Sequence, residues 1–365
     1  VDKLVTIAEQ FKPQGQIVSI QAFGNGNIND TFLVTLDSAV EKHFVLQRIN
    51  TEVFRQPELV MQNMCIFTQH VRDRLQRFPL DSGRRWEVPR VLLTQNGRDC
   101  WIDPDGLFWR AISFIENSQC FDTIQNLERA EEVGYALGMF HNLTSDLPAN
   151  RLADTLKGFH ITPSYLQHYE RVLAKNQIGD APEIKYCRQF IQDRQAWAHV
   201  LEDAKATGKL PVRLMHGDPK INNVVFDTTT KQAIGAIDLD TVKPGLVHYD
   251  IGDCLRSGCN LAGEETKDWQ QVRFEPDLAE AILRGYLAVA REFLTQNDCQ
   301  YLYDAIRLIA FELGLRFFTD YLEGNFYFKV AYPEHNLCRA IVQFKLTESI
   351  EAQEQAIRSI VCDLQ

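Results

Sequence analysis

Two carboxylates, an amide and a lysine are gathered in one short stretch of this chain. Between His216 and Asp240 it reads HGDPKINNVVFDTTTKQAIGAIDLD. Asp218 follows His216 and Gly217 where a strand ends, and Asn223 stands five residues on, where the next strand starts. The β run VVF, a polar turn at 227–231 and a second β run AIGAI then bring the chain back to Asp238. A hairpin of this kind lets all three side chains face one small volume. A carboxylate and an amide oxygen suit a hard cation such as Mg²⁺, which takes oxygen ligands and shares them with substrate phosphates. Asp218 is then free to accept a proton from a substrate hydroxyl, with the charge of Lys220 beside it. The competing reading is a well-capped turn that binds nothing.

The elements that must hold this stretch follow from periodicity. Residues 3–10 predict a short amphipathic helix, and the runs IVSIQAF, TFLVTL and KHFVLQRIN predict three strands. Between the first two lies Gly24-Asn25-Gly26-Asn27. A G-x-G is by itself a weak signal that also opens dinucleotide-binding folds, but there a helix follows and here a strand does. Alone the turn reads as a plain hairpin; beside the 216–240 stretch it reads as a loop whose backbone N–H groups approach phosphate. No Walker A pattern occurs. A helix starts at Gln56-Pro57-Glu58, and VPRVLLT, DCWID and LFWRAISFI predict three further antiparallel strands ending at Phe114-Ile115-Glu116. From Gln125 the chain turns helical, with His141 on the first helix, further helices at 163–175 and 182–206, and the strand VRLMHG leading to Asp218. Asp250 and Asp253 fall at a helix start, where acids favour unpaired N–H groups; Asp250 reads as a brace, with Arg256 its ion-pair partner. The rest is helical. Arg316, Asp320 and Glu323 fall at i, i+4 and i+7, a polar edge that reads as a surface salt bridge as well as anything else.

A chain of 365 residues with 45% hydrophobic residues is globular and can bury a large core. Its formal net charge of -11 argues against a general nucleic-acid binder or an anionic-membrane binder. Nine scattered cysteines without a C-x-x-C pair imply neither zinc nor a disulfide framework, and fit reduced thiols in the cytoplasm. No signal-peptide pattern and no membrane-spanning apolar run are found. A cytoplasmic enzyme, acting as a monomer with no nucleic-acid or membrane partner, is the expectation.

As a pattern, H-x-D-x-K-x-x-N followed by strand, turn, strand and I-D resembles the protein-kinase catalytic loop and its metal-binding Asp. With HGD in place of HRD, the chain resembles the aminoglycoside phosphotransferase and choline kinase branch of that fold. Within it, GNGNINDTFLV, AIDLDTVKPG, RFFTDYLEGNFYF and YPEHNL resemble segments of the N-acetylhexosamine 1-kinases. The resemblance implies an α+β bilobal kinase-like fold: an N-terminal antiparallel sheet lobe with one main helix, residues 1–115, and a mostly helical catalytic and acceptor-binding lobe, residues 116–365. It implies transfer of the ATP γ-phosphoryl to a sugar hydroxyl, the anomeric one of an N-acetylhexosamine, with ATP and Mg²⁺ as cofactors. Asp218 and Lys220 would be catalytic. Asn223 and Asp238 would hold the metal, with Asp240 as a further ligand. Gly24, Asn25, Gly26 and Asn27 would cover the phosphates, and the backbone of Phe114, Ile115 and Glu116 would bond the adenine. Arg316 and Asp320 would meet the sugar. Where kinases carry a phosphate-binding Lys on the third strand, this chain has Gln47, with Arg48 on the opposite face unless a bulge brings Arg48 inward instead; Glu58 is the one acid near the helix start that follows. Alternative acceptors are aminoglycosides, choline or ethanolamine, homoserine and methylthioribose, and a rival from another class is a silent nucleotide-binding scaffold.

Overall fold

The computed structural model of the protein describes residues 2–11, 13–24, 28–80, 83–175 and 179–364. Helix α1 (Asp2–Glu9) leads into strands β1 (Gln16–Ala22), β2 (Asp30–Asp37) and β3 (His43–Arg48). Helix α2 (Pro57–Arg77) and strands β4 (Val91–Leu92), β5 (Trp101–Ile102) and β6 (Phe108–Ser113) follow. The strands form one antiparallel sheet in the order β1-β2-β3-β6-β4, with β5 beside β6. Alternation along each strand then decides what faces what. Val34, Phe44, Leu46, Trp109 and Ala111 point to one side, where Ile7 and Phe11 close a small core. Gln47 and Arg110, paired across β3 and β6, stand on the other side, where Arg110 reaches Met64 of α2.

After β7 (Ser118–Gln119) the chain is mostly helical, as its pattern predicts. Helix α3 (Leu127–Thr144) starts at Asn126, whose side chain accepts the N–H of Arg129 at 2.8 Å. Helices α4 (Thr162–Lys175), α5 (Pro182–Arg194) and α6 (Val200–Ala206) precede β8 (Arg213–Met215). The single helix expected over 182–206 is broken by a turn at Gln195–Trp197, which sets the Trp197 ring 5.0 Å from that of Phe311. The hairpin β9 (Val224–Asp227) and β10 (Ala233–Ala236) comes next, with β7 paired to β9. A strand not expected, β11 (Lys243–Gly245), pairs with β8; Pro244 is tolerated because the ladder has only two strands. Helices α7 (Val247–Gly258), α8 (Pro276–Ala290), α9 (Gln296–Gln300), α10 (Leu302–Glu323), α11 (His335–Ala352) and α12 (Glu354–Asp363) complete the lobe. The α+β, two-lobed arrangement expected from the sequence is the one observed. No helix of the described residues is long and apolar enough to cross a membrane, and the nine cysteines are all free thiols.

Two helix contacts hold the second lobe in shape. α10 is buried along most of its length, as its sparse polar residues predict. α3 and α8 cross through glycines: a Cβ on Gly134 would lie 1.8 Å from the Ile282 carbonyl oxygen, and one on Gly285 would lie 1.9 Å from that of Glu131. The obstacle is backbone in both cases, so neither side chain rotation nor a small shift relieves it. Overpacking of a core costs about 1–3 kcal/mol. Gly285→Ala is expected to cost at least the upper end of that range, read as a lower unfolding midpoint in urea; a midpoint within error of the parent would show that the crossing is not tight.

Candidate active site

The site is organised by one buried carboxylate. Asp250, in the first turn of α7, accepts the N–H of Gly217 on Oδ1 at 2.8 Å and that of His216 on Oδ2 at 2.6 Å. Its Oδ2 also lies 2.8 Å from Nε2 of His141 on α3, whose Nδ1 meets the Tyr286 hydroxyl at 3.0 Å. Burial alone would raise the Asp250 carboxyl; the His141 hydrogen bond and ring outweigh it and hold the group below the usual carboxylate range. Asp250 is thus the expected brace, but Arg256 is not its partner. Arg256 pairs with Asp253 at 2.8 Å and with Glu264 at 3.3 Å instead, because backbone N–H groups and His141 already surround Asp250. The loop it grips bends at Gly217, φ 88, where a Cβ would sit 2.8 Å from Cβ of Thr241.

Beyond that bend the expected residues come together. Lys220 Nζ lies 2.8 Å from Asp218 Oδ2, and the Asn223 amide donates to the Asp218 carbonyl at 2.8 Å and to Oδ2 at 3.2 Å. Burial works against both charges, but each ion offsets it for the other: the Asp218 carboxyl is lowered and the Lys220 ammonium raised. Asp238 returns to the same place on a left-handed backbone, φ 63 and ψ 58, a conformation rare for a residue with a side chain. Its carboxylate has no hydrogen bond or ion pair among the described residues, although water reaches it. Its surroundings and the charges of Asp240 and Asp218 push it up to about 7.

This set fits a hard cation. Asp238 is an unpartnered carboxylate raised by its surroundings and by neighbouring like charges, and no described residue donates to Oδ1 of Asn223. Among the described residues no three His, Cys, Asp or Glu side chains are grouped as ligands. A cation here would therefore take one carboxylate and one amide, with its other positions filled by substrate oxygens and water, the mode Mg²⁺ favours. Asp240, expected as a further ligand, is otherwise engaged. Its Oδ1 meets Arg110 Nη1 at 2.5 Å and its Oδ2 accepts the Asn29 amide at 2.6 Å, with both ionic partners about 1% exposed.

That ion pair also changes the reading of Gln47. Its amide donates to the Thr31 hydroxyl at 3.0 Å, and its Oε1 accepts Arg110 Nε at 2.9 Å, so it is spent on protein rather than free for phosphate. Arg48 points the other way and pairs with Asp30. The positive charge on this face of the sheet comes from Arg110, one strand over. A lone arginine in the apolar run FWRAIS was the signal that could have found it. Glu58 is exposed in the first turn of α2.

The remaining expected residues are placed as follows. Gly24 has φ 76, and Asn25, Gly26 and Asn27 lie outside the described residues. Phe114 packs its ring 5.9 Å from Phe23 and 5.5 Å from His43. The Ile115 carbonyl accepts the Ser118 hydroxyl and that of Glu116 accepts Arg85, which leaves the Phe114 carbonyl and the N–H groups of Ile115 and Glu116 without a bond to any described residue. Arg316 makes no salt bridge along α10. Its guanidinium is 5.0–5.8 Å from the rings of Phe159, Tyr165, Tyr327 and Phe328, with no hydrogen bond to a described residue. Asp320 is buried and accepts the N–H groups of Tyr327 at 2.7 Å and Phe328 at 3.0 Å and the Asn336 amide at 2.9 Å. It holds the loop that supplies two of those rings, rather than facing open space, while Glu323 meets His168.

Residues 19–294 match the profile of APH, described as the phosphotransferase enzyme family. The fold is similar to that of an aminoglycoside phosphotransferase from Alicyclobacillus acidocaldarius, at 16% identity over 98% of this chain and 94% of that one, TM-score 0.61. It is also similar to the microcompartment-associated aminopropanol kinase, at 18% identity over 97% and 98% of the two chains, TM-score 0.62. Choline kinase from Cryptosporidium parvum matches at 13% identity over 98% and 97%, TM-score 0.62. At these identities the likeness is one of fold.

Breaking a buried ion pair from one side leaves a charge without compensation and costs about 3–5 kcal/mol, whereas replacing both partners can be neutral. Arg110→Met is therefore expected to lower the unfolding free energy by that much, read from urea denaturation, and Arg110→Met with Asp240→Asn to recover most of it. Equal losses in the single and double variants would show that the pair is not coupled.

Proposed function

Because the chain belongs to the phosphotransferase enzyme family, we propose that it transfers the γ-phosphoryl group of ATP to a hydroxyl of a sugar, the anomeric hydroxyl of an N-acetylhexosamine. The observation that carries the reading is the grouping of Asp218, Lys220 and Asn223 within 3.2 Å contacts, beside an unpartnered Asp238. Asp218, ionised and held by Lys220, is oriented to take the proton of an acceptor hydroxyl. Lys220 meets the charge of the phosphoryl group in transfer. Asn223 and Asp238 would hold Mg²⁺, which supplies charge neutralisation for the phosphate oxygens. The chain's own contribution is position and electrostatics, which is most of what this transfer requires.

The surroundings of Arg316 support a sugar over a cationic acceptor. An aromatic enclosure is what a quaternary ammonium needs. Here four rings already surround the chain's own guanidinium. A cation would meet both occupied rings and a like charge. A sugar brings hydroxyl oxygens for the guanidinium N–H groups to meet and an apolar ring face for the aromatic walls. The proteins of similar fold are an aminoglycoside phosphotransferase, an aminopropanol kinase and a choline kinase, so these acceptors make the natural competitors in a test.

An ATP-consumption assay with Mg²⁺ and a panel of N-acetylhexosamines, other sugars, amino alcohols and aminoglycosides is expected to single out an N-acetylhexosamine. Turnover with choline or an aminoglycoside alone would overturn the acceptor while keeping the chemistry. ATP binding with no turnover on any of them would favour a silent scaffold. Asp218→Asn is expected to lose on the order of 10²–10⁴ in kcat while still binding ATP; near-parental kcat would remove Asp218 from the reaction.

A further inference from the structure

His160 has no part in the chemistry above, yet it is buried against the catalytic loop. It stands just before α4 with a left-handed backbone, φ 62, which a residue with a side chain keeps only where its surroundings fix it. Its Nε2 is 2.9 Å from the Gly217 carbonyl oxygen, and its Nδ1 is 2.9 Å from Oε1 of Glu312 on α10. Both neighbours are acceptors. The second oxygen of Glu312 accepts the Thr162 hydroxyl at 2.6 Å, as a carboxylate does. With Glu312 ionised, two acceptors call for two N–H donors, which only an imidazolium supplies. Burial opposes that charge, but the Glu312 carboxylate outweighs it and raises the group above the ordinary histidine value. His141 differs, since the Tyr286 hydroxyl on its second nitrogen can itself donate.

The carbonyl that His160 grips belongs to the peptide carrying the Asp218 N–H, which lies 3.3 Å from Nδ1 of His216. Asp250 holds the two N–H groups just upstream. The loop is thus fixed from both sides, by one carboxylate–histidine couple based on α7 and α3 and by another based on α10. We infer that His160, charged and backed by Glu312, is a positioning residue that sets the peptide plane of Asp218. This rests on the reading of Asp218 as proton acceptor. Glu312 also lies one helical turn before Arg316, so a single helix carries both this couple and the arginine in the aromatic enclosure.

Removing His160 alone would leave Glu312 buried and unpaired, so the variants are made in pairs. His160→Leu with Glu312→Met removes the donor and the charge together, while His160→Gln with Glu312→Gln keeps a donor at the ring position. With ATP and the N-acetylhexosamine turned over fastest by the parent protein, the Leu/Met pair is expected to lose about 10- to 100-fold in kcat, the scale on which small misplacements act, with both KM values little changed. The Gln/Gln pair should recover most of that loss. A folded Leu/Met pair with parental kcat, or a Gln/Gln pair as slow as it, overturns the inference. If the Leu/Met pair does not fold, ¹⁵N-histidine NMR decides on the parent. A ring with both nitrogens protonated at about pH 8, well above the ordinary histidine value, and missing from the Gln/Gln pair supports the inference; its absence from the parent overturns it. Asp218→Asn separates the two claims: parental turnover there fails the reading of Asp218, whereas an inactive Asp218→Asn beside an active Leu/Met pair fails only the role of His160.

Discussion

A carboxylate closed off from water and satisfied by two backbone N–H groups and a histidine ring is the constraint on which this structure turns. An ion at the position of Asp250 is costly unless every lone pair is met. The polypeptide around it therefore has little choice. The first turn of α7 must abut the end of β8, which is why β11 pairs with β8 just before that helix begins. α3 must come close enough to deliver His141, and α8 must follow to deliver Tyr286, which the glycine crossing of the two helices permits. The position of Asp218 is thus decided by a neighbour that grips the two loop residues before it and lies 32 away in sequence.

The acidic balance of the chain makes its few well-placed cations informative. Lys220 stands beside Asp218, Arg110 neutralises Asp240 from the sheet, Arg256 is shared between Asp253 and Glu264, and Arg316 is enclosed by rings. Three are fixed by carboxylates and the fourth by aromatic rings, so each charge has a fixed location rather than a mobile cloud. Arg110 has a further effect. Together with Asn29 it joins the front sheet to the Asp238–Asp240 segment, so the two lobes are joined through buried polar bonds as well as through apolar contact.

How much of this was legible in the sequence depends on the range of the contacts. The grouping of Asp218, Lys220 and Asn223 is local, and spacing alone conveyed it. Strand alternation correctly put Gln47 and Arg48 on opposite faces. What spacing cannot convey is which side chain a polar group will choose. Asp240 looked free because its partner Arg110 is 130 residues away, and Gln47 looked available because Arg110 was invisible to the same reading. His160 reaches Gly217 across 57 residues from a loop with no periodic pattern, so nothing local marked it. Arg256 was assigned to Asp250 by proximity in sequence, whereas the choice was made by which carboxylate still had lone pairs to offer. Arg316 and Asp320 shared a helix edge as expected, but their partners lie off the helix.

The way Asp320 holds residues 327 and 328 makes that stretch of chain separable from the rest of the fold. Half of the aromatic enclosure around Arg316 hangs from one helix residue by two peptide N–H groups, and it shares no backbone with the β9–β10 hairpin. Exchanging the short segment between Gly324 and Tyr332 would therefore change two of the four rings around Arg316 and leave Asp218, Lys220 and Asn223 untouched. What surrounds Arg316 can thus be altered by swapping a single panel.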